Sequence, residues 1–203
     1  MKKTQRLFGI AVLLTAAMFT LTGCGNPSSW VAEYAIGDTG PGGGIIFYVS
    51  EAGFGPGNAW HYLEAAPADI NPTKAWASSI NIPPTEGGSG NWLSIPNTQT
   101  GIGSGYGNTA AIKVLDANAP AAQACDAYSN KGISDWFLPS IDELVLMYTN
   151  LKTKGLGNFQ DDWYWSSSQE AADSAWGQRF LAGYKSHTGI KFNTHYVRAA
   201  RGF

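Results

Sequence analysis

Cysteine is nearly absent from this 203-residue chain, with Cys24 and Cys125 as its whole complement. That scarcity excludes a disulfide-stapled scaffold and the cysteine-rich metal modules. Charge is also sparse, at 14% Asp, Glu, Lys and Arg, and there are three histidines. His61 has no second ligand at helical or strand spacing beside it, so it reads as a packed or edge residue rather than a metal ligand. The longest apolar run, Leu7 to about Leu21, falls short of the roughly 20 residues that a membrane span needs. No phosphate loop follows a strand and opens a helix: Gly40-Pro41-Gly42-Gly43-Gly44 precedes its strand, and Gly101 to Gly107 places glycines at alternate positions without a strand before them. What the chain has in quantity is aromatic area, with eight Trp, nine Tyr and nine Phe, and cohesion has to come from packing those rings.

The N-terminus has the layout of a secretory signal, Lys2, Lys3 and Arg6 ahead of the apolar run. The run ends in Leu21-Thr22-Gly23-Cys24, which resembles the bacterial lipobox. The expected organisation is therefore a signal over residues 1–23, a lipidated tether over 24–29 beginning at an acylated Cys24, and one domain over 30–203. Removal of the signal takes three of the 13 basic residues and none of the 15 acids, leaving ten against 15. An acidic balance of that size disfavours nucleic acid as a partner. Acylation of Cys24 also leaves Cys125 without a partner for a disulfide.

Within the domain, Ile45-Ile46-Phe47-Tyr48-Val49 and Trp60 to Ala66 read as strands, with Gly53 to Asn58 as the loop between them. Pro67 to Gly107 has the composition of a long ordered loop. Asn108 is placed to cap a helix over Thr109 to Leu115, and Pro120 suits the first position of another over Pro120 to Tyr128, with Cys125 on its apolar face. The sharpest signal is Trp136-Phe137-Leu138-Pro139-Ser140-Ile141-Asp142-Glu143-Leu144: strand, proline turn, then a capping box of Ser140 with Glu143. Leu144, Met147, Tyr148 and Leu151 follow at helical spacing, and Gly155 supplies a left-handed stop. Adjacent Asp142 and Glu143 point about 100° apart on a helix and are explained by its first turn, not by acid–base chemistry. Short aromatic strands at 163–168, 175–180, 189–192 and 196–203 then suggest an antiparallel meander.

From Ser174 onward there is no acid, while Arg179, Lys185, Lys191, Arg198 and Arg201 are basic. A segment of that kind is either a cationic field for an anionic glycan or a set of charges tied singly into the fold.

Trp136-Phe137-Leu138-Pro139-Ser140-x-x-Glu143-Leu144, Tyr164-Trp165-Ser166-Ser167-Ser168, Ala175-Trp176-x-x-x-Phe180 and Val197-Arg198-Ala199-Ala200-Arg201, in that order, resemble the bacterial domain of unknown function 1566, which occurs in exported proteins including a collagen-like adhesin. Gly42 to Phe47 and Tyr62 to Pro67 extend the resemblance over nearly all of the mature chain. It implies an α+β, C-type-lectin-like fold of the formylglycine-generating-enzyme type: two main helices on twisted antiparallel sheet, with long ordered loops. The enzyme branch of that superfamily needs a cysteine pair in its site, which a mature chain with Cys125 alone lacks once Cys24 is acylated, and the calcium-lectin tripeptides Glu-Pro-Asn, Gln-Pro-Asp and Trp-Asn-Asp do not occur. The expectation is a non-catalytic, lipid-anchored envelope protein that recognises a glycan or a protein, with the membrane as a partner through Cys24 and with neither cofactor nor metal implied. The alternatives are a structural envelope lipoprotein and an enzyme of the formylglycine-generating type. Ligand contacts are expected on loops between the late strands, at Asp161, Asp162, Tyr184, Lys185 and His187, because loops on a rigid sheet change contacts without unfolding the core.

Overall fold

The computed structural model describes residues 31–78, 94–181 and 185–203, with the backbone alone at 185–188. The signal, Cys24 and the tether lie outside the described residues, as does Tyr184. Eight strands and three α-helices follow in the order β1 (Ile45–Phe54), β2 (Trp60–Ala65), β3 (Lys74–Ala75), α1 (Gly105–Leu115), α2 (Pro120–Asp126), α3 (Ile141–Asn150), β4 (Trp163–Gln169), β5 (Ser174–Arg179), β6 (Lys185–Ile190), β7 (Thr194–His195) and β8 (Ala200–Gly202). The class is α+β.

The strands form three small antiparallel sheets and not one: β1-β2-β8, β3-β7 and β4-β5-β6. The last of these is the expected meander with its third strand displaced: β6 starts four residues before the 189–192 run, and Lys191 and Phe192 lie in the turn after it. The end of the chain leaves it, because β8 returns to pair with β2, Ala65 opposite Ala200 and Leu63 opposite Gly202. Trp136 to Leu138 is not a strand either. Phe137 makes a single bridge to Ala200, with N–H···O distances of 2.8 and 2.9 Å, and so covers the outer edge of β8.

The turn before β1 is tight, and the Gly40 N–H donates to the Gly44 carbonyl at 3.0 Å. A Cβ on Gly44 would sit 2.3 Å from the Ala65 carbonyl oxygen, so the backbone passes too close to β2 for any side chain.

Helix α3 starts as its sequence dictates. The Ser140 N–H donates to Glu143 Oε2 at 2.7 Å, and the Glu143 N–H donates to Ser140 Oγ at 3.3 Å. Leu144, Met147 and Leu151 are fully buried and a left-handed Gly155, φ 72°, closes the 3-10 turn that follows. Among the described residues there are three α-helices where two main ones were expected, and α1 starts four residues earlier than its apolar pattern indicates. Gly105, Asn108, Thr109 and Ile112 form its buried face, so Asn108 lies inside the helix and does not cap it. The Asn108 amide donates to the Gln99 carbonyl at 2.7 Å and to Ser167 Oγ at 3.1 Å.

Two apolar clusters fill the interior. One centres on Trp76, Ile112, Cys125, Trp136 and Trp165, and the other on Phe47, Leu63, Phe137, Met147, Tyr164 and Phe180. No described helix is long and apolar enough to cross a membrane.

Candidate recognition groove

The late cations are mostly internal. Arg198 is 1% exposed, its Nη2 lies 2.7 Å from Asp69 Oδ1, and its guanidinium sits 4.0 Å from the centre of the Phe159 ring. It also donates to the carbonyls of Ala66 and Gly157, both at 2.9 Å, and so pins the segment after β2 to the chain end. Asp69 in turn accepts from the Tyr164 hydroxyl at 2.8 Å. Burial, reinforced by Asp69, pushes that hydroxyl's pKa upward.

Lys191 is 1% exposed, donates to Gln169 Oε1 at 2.7 Å and to the Ala172 carbonyl at 2.6 Å, and lies 4.6 Å over the Trp76 ring. Burial lowers its pKa to about 8, against the raising pull of Asp173 and Asp116. Arg201 bonds buried Glu64 at 3.0 Å and also pairs with Asp135. Three of the five cations are thus built into the fold, which dismantles the cationic field and supports the structural reading of that segment.

The expected site residues sit as follows. Asp161 is exposed and pairs with Lys152 at 2.6 Å, while Asp162 Oδ1 accepts the Trp163 N–H at 2.8 Å ahead of β4. Lys185 and His187 lie on β6 with only their backbones described, and Tyr184 is outside the described residues. Lys152 also donates to the Phe159 carbonyl at 2.7 Å, so the described acids of this turn serve local structure.

A depression of about 230 Å³ beside this turn is lined by Lys152, Gly155, Leu156, Asn158 and Phe159, while two others have more than one aromatic wall. One, of about 360 Å³, is lined by Pro56, Ala59, Trp60, Tyr106 and Asp135. Trp60 opens β2 and stacks parallel to Phe137, centroids 5.7 Å apart and planes 8° apart. Its indole is wedged between Gly55 and Gly202, where an added Cβ would lie 2.3 and 2.2 Å from the ring. Tyr106, in the first turn of α1, stands perpendicular to Trp60 (5.9 Å, 90°) and nearly so to Phe137 (6.1 Å, 82°). It remains 48% exposed. The Asp135 side chain, 54% exposed, is held on one oxygen by Arg201. A second depression of about 230 Å³ shares Tyr106 and runs over Thr109, Ala110 and Trp136 to the Lys113–Asp126 ion pair.

Glu143 holds the tyrosine in place. It is fully buried, and besides capping α3 its Oε1 accepts the Gly103 N–H at 2.7 Å and the Gly105 N–H at 3.5 Å. One carboxylate therefore satisfies exposed donors at the starts of two helices. Gly105 is required for this, since a Cβ there would lie 2.4 Å from Glu143 Oε2 and 2.9 Å from the Leu138 carbonyl. Burial pushes the Glu143 carboxyl up to about 7, against the lowering effect of its N–H donors.

Sequence reasoning placed Trp60 in a strand and Tyr106 in a loop and gave Asp135 no role, because the groove joins residues far apart in the chain. The usable signal was the pair of glycines flanking Ser104 together with a carboxylate that its own helix does not exhaust.

Nothing in the described residues sets up nucleophilic chemistry at this groove. Cys125 is buried on α2 and burial raises its thiol pKa. His195 packs against Trp165 at 4.2 Å with its pKa lowered by burial, and His61 Nδ1 lies 2.8 Å from the Ser50 carbonyl. Among the described residues no three His, Cys, Asp or Glu side chains are grouped to hold a metal ion.

No family model and no curated protein matches the chain. Among solved structures, the fold is similar to a fimbrial protein from Bacteroides ovatus ATCC 8483, with a TM-score of 0.51 and 19% identity over 79% of this chain. The match covers 44% of that protein, so the chain spans less than half of its neighbour's length. At this identity the likeness concerns the fold.

Proposed function

We propose that this chain is an exported, lipid-anchored recognition protein, tethered through Cys24, whose domain is a C-type-lectin-like member of the domain of unknown function 1566 family and binds its ligand without catalysis. The observation that carries the reading is the aromatic groove at Tyr106: open, ligand-sized and walled by Trp60 and Tyr106 beside the Asp135 carboxylate. Pockets that take small ligands combine apolar ring surface with a few fixed polar groups, and this groove has both. Its walls are preorganised by buried contacts, which limits the entropy lost on binding. The description of the fold neighbour as a fimbrial protein accords with a role at the cell surface.

The test has two parts. The full chain, expressed with its signal and extracted in detergent, is screened against glycan and extracellular-protein arrays beside a Tyr106→Ala variant, and saturable binding lost in the variant is the expected result. Fatty-acid labelling and protease accessibility on intact cells, compared with Cys24→Ala, test anchoring and display. Absence of binding to every class, or labelling that survives Cys24→Ala, contradicts the respective part.

A further inference from the structure

The two depressions meet at one residue. Tyr106 lines both, standing upright between the Trp60 side with Asp135 and the α1–α2 side with Lys113 and Asp126. We infer that they form a single two-part site for an uncharged oligosaccharide of at least two sugar rings, which straddles Tyr106. This inference rests on the recognition reading above and specifies its ligand.

Three features select that chemistry. A pyranose has an apolar C–H face and a rim of hydroxyls, and it is complemented by aromatic surface beside hydrogen-bond acceptors and donors. Here the exposed ring is Tyr106 with half-buried Trp60 beside it, and the acceptors and donors are Asp135 on one side and the Lys113–Asp126 pair on the other. The depressions measure about 360 and 230 Å³, which together suit a ligand larger than one ring.

The charge around the site argues against a sulfated or uronic glycan. Its lining charges are balanced, Asp135 by Arg201 and Asp126 by Lys113, and two further late cations, Arg198 and Lys191, are 1% exposed, so no lining cation is left uncommitted for an anionic group. An anionic ligand would find each lining carboxylate already matched to its own cation, and it would have to break one of those pairs to gain a partner.

The local backbone argues against an extended peptide. Capture of a strand needs a free sheet edge, and Phe137 already occupies the β8 edge beneath the groove. The fixed indole between Gly55 and Gly202 also favours a rigid ligand over one that requires the walls to move.

The full-length protein in detergent is titrated with neutral mono-, di- and trisaccharides, with sulfated and uronic oligosaccharides, and with extended peptides, using tryptophan fluorescence and calorimetry. The inference predicts binding of neutral sugars at least ~10-fold tighter for disaccharide than for monosaccharide, at least ~10-fold weaker in Tyr106→Ala, and little changed between low and high salt. Ala110→Trp, which fills the second depression from the exposed face of α1, removes the gain contributed by the second ring. Binding confined to anionic glycans or to peptides overturns the inference and leaves the recognition reading in place. Neutral-sugar binding that is indifferent to both Tyr106→Ala and Ala110→Trp overturns the assignment to this groove. No binding by any class, with thermal unfolding of the protein intact, overturns the recognition reading as well.

Discussion

The chain end and the first turns of α1 reverse what their compositions advertise. Residues 191–201 carry cations and bury them, whereas α1, an apolar-looking helix, buries Asn108 and Thr109 and turns Tyr106 and Val114 outward, the latter 81% exposed. Arg198 is internal because Asp69, Ala66, Gly157 and Phe159 converge on it from distant parts of the chain. Tyr106 is external because Gly105 and Glu143 fix the phase of the helix. A residue's job here follows from the company its neighbours provide, and the two regions should respond to mutation in opposite ways: one through stability, the other through binding.

The largest effect is expected at Arg198. Arg198→Ala strands the Asp69 carboxylate, 5% exposed, without its cation, and breaking a buried pair from one side costs on the order of 3–5 kcal/mol. Denaturant unfolding measures this; a loss below ~1 kcal/mol would mean that the segment is held by packing alone.

Next is the shared carboxylate. Glu143 has a folded pKa near 7 against an ordinary 4.5, so the folded state holds its proton more tightly than the unfolded chain does. Its contribution is therefore greatest below pH 4.5 and declines as pH rises to about 7, by at most ~3 kcal/mol. Glu143→Gln should flatten the pH dependence of stability across that window while loosening Gly103, Gly105 and hence Tyr106. An unchanged pH profile would show that Glu143 does not titrate in this range.

Gly105→Ala introduces a Cβ that clashes with Glu143 Oε2 and the Leu138 carbonyl, and a loss of about 1–3 kcal/mol is expected by calorimetry. It should weaken ligand binding too, because Tyr106 is the next residue. Wild-type stability in this variant would mean that the α1 start adjusts freely.

The smallest effects on stability are expected where the sharpest contrast in function lies. Tyr106→Ala should cost about 1 kcal/mol, since the ring is half exposed and its edge contacts are modest, yet it should abolish most binding. Asp161→Ala and Asp162→Ala, at exposed positions with local partners, should change stability by no more than about 1 kcal/mol and leave neutral-sugar binding intact.

Much of the fold was legible wherever partners lie close in sequence. The Ser140–Glu143 box, the Leu144–Met147–Leu151 stripe, the Gly155 stop and the β4–β5 pair each declare themselves within a few residues or by simple alternation, whereas β6 starts four residues before the 189–192 run read as its strand. What stayed hidden depends on distance. Glu143's second role needs Gly103 and Gly105, some 40 residues away, and Arg198 needs Asp69, 129 residues away. The three separate sheets depend on β8 leaving the meander to join β2. The groove draws on β2, α1 and the bridge at Phe137, none of which carries a local mark of recognition. Apolar periodicity also misplaced the start of α1, because its first turn is stabilised by a carboxylate from another helix and not by a cap of its own.

Amide hydrogen exchange of the full chain, with and without a saturating neutral oligosaccharide, tests the central claim most directly because it reads both regions in one experiment. The account predicts slowed exchange at residues 105–113 and 135–137, with residues 161–163 and 185–190 unchanged. Protection confined to the late strands and the Asp161–Asp162 turn, with the start of α1 exchanging as in the free protein, would contradict it.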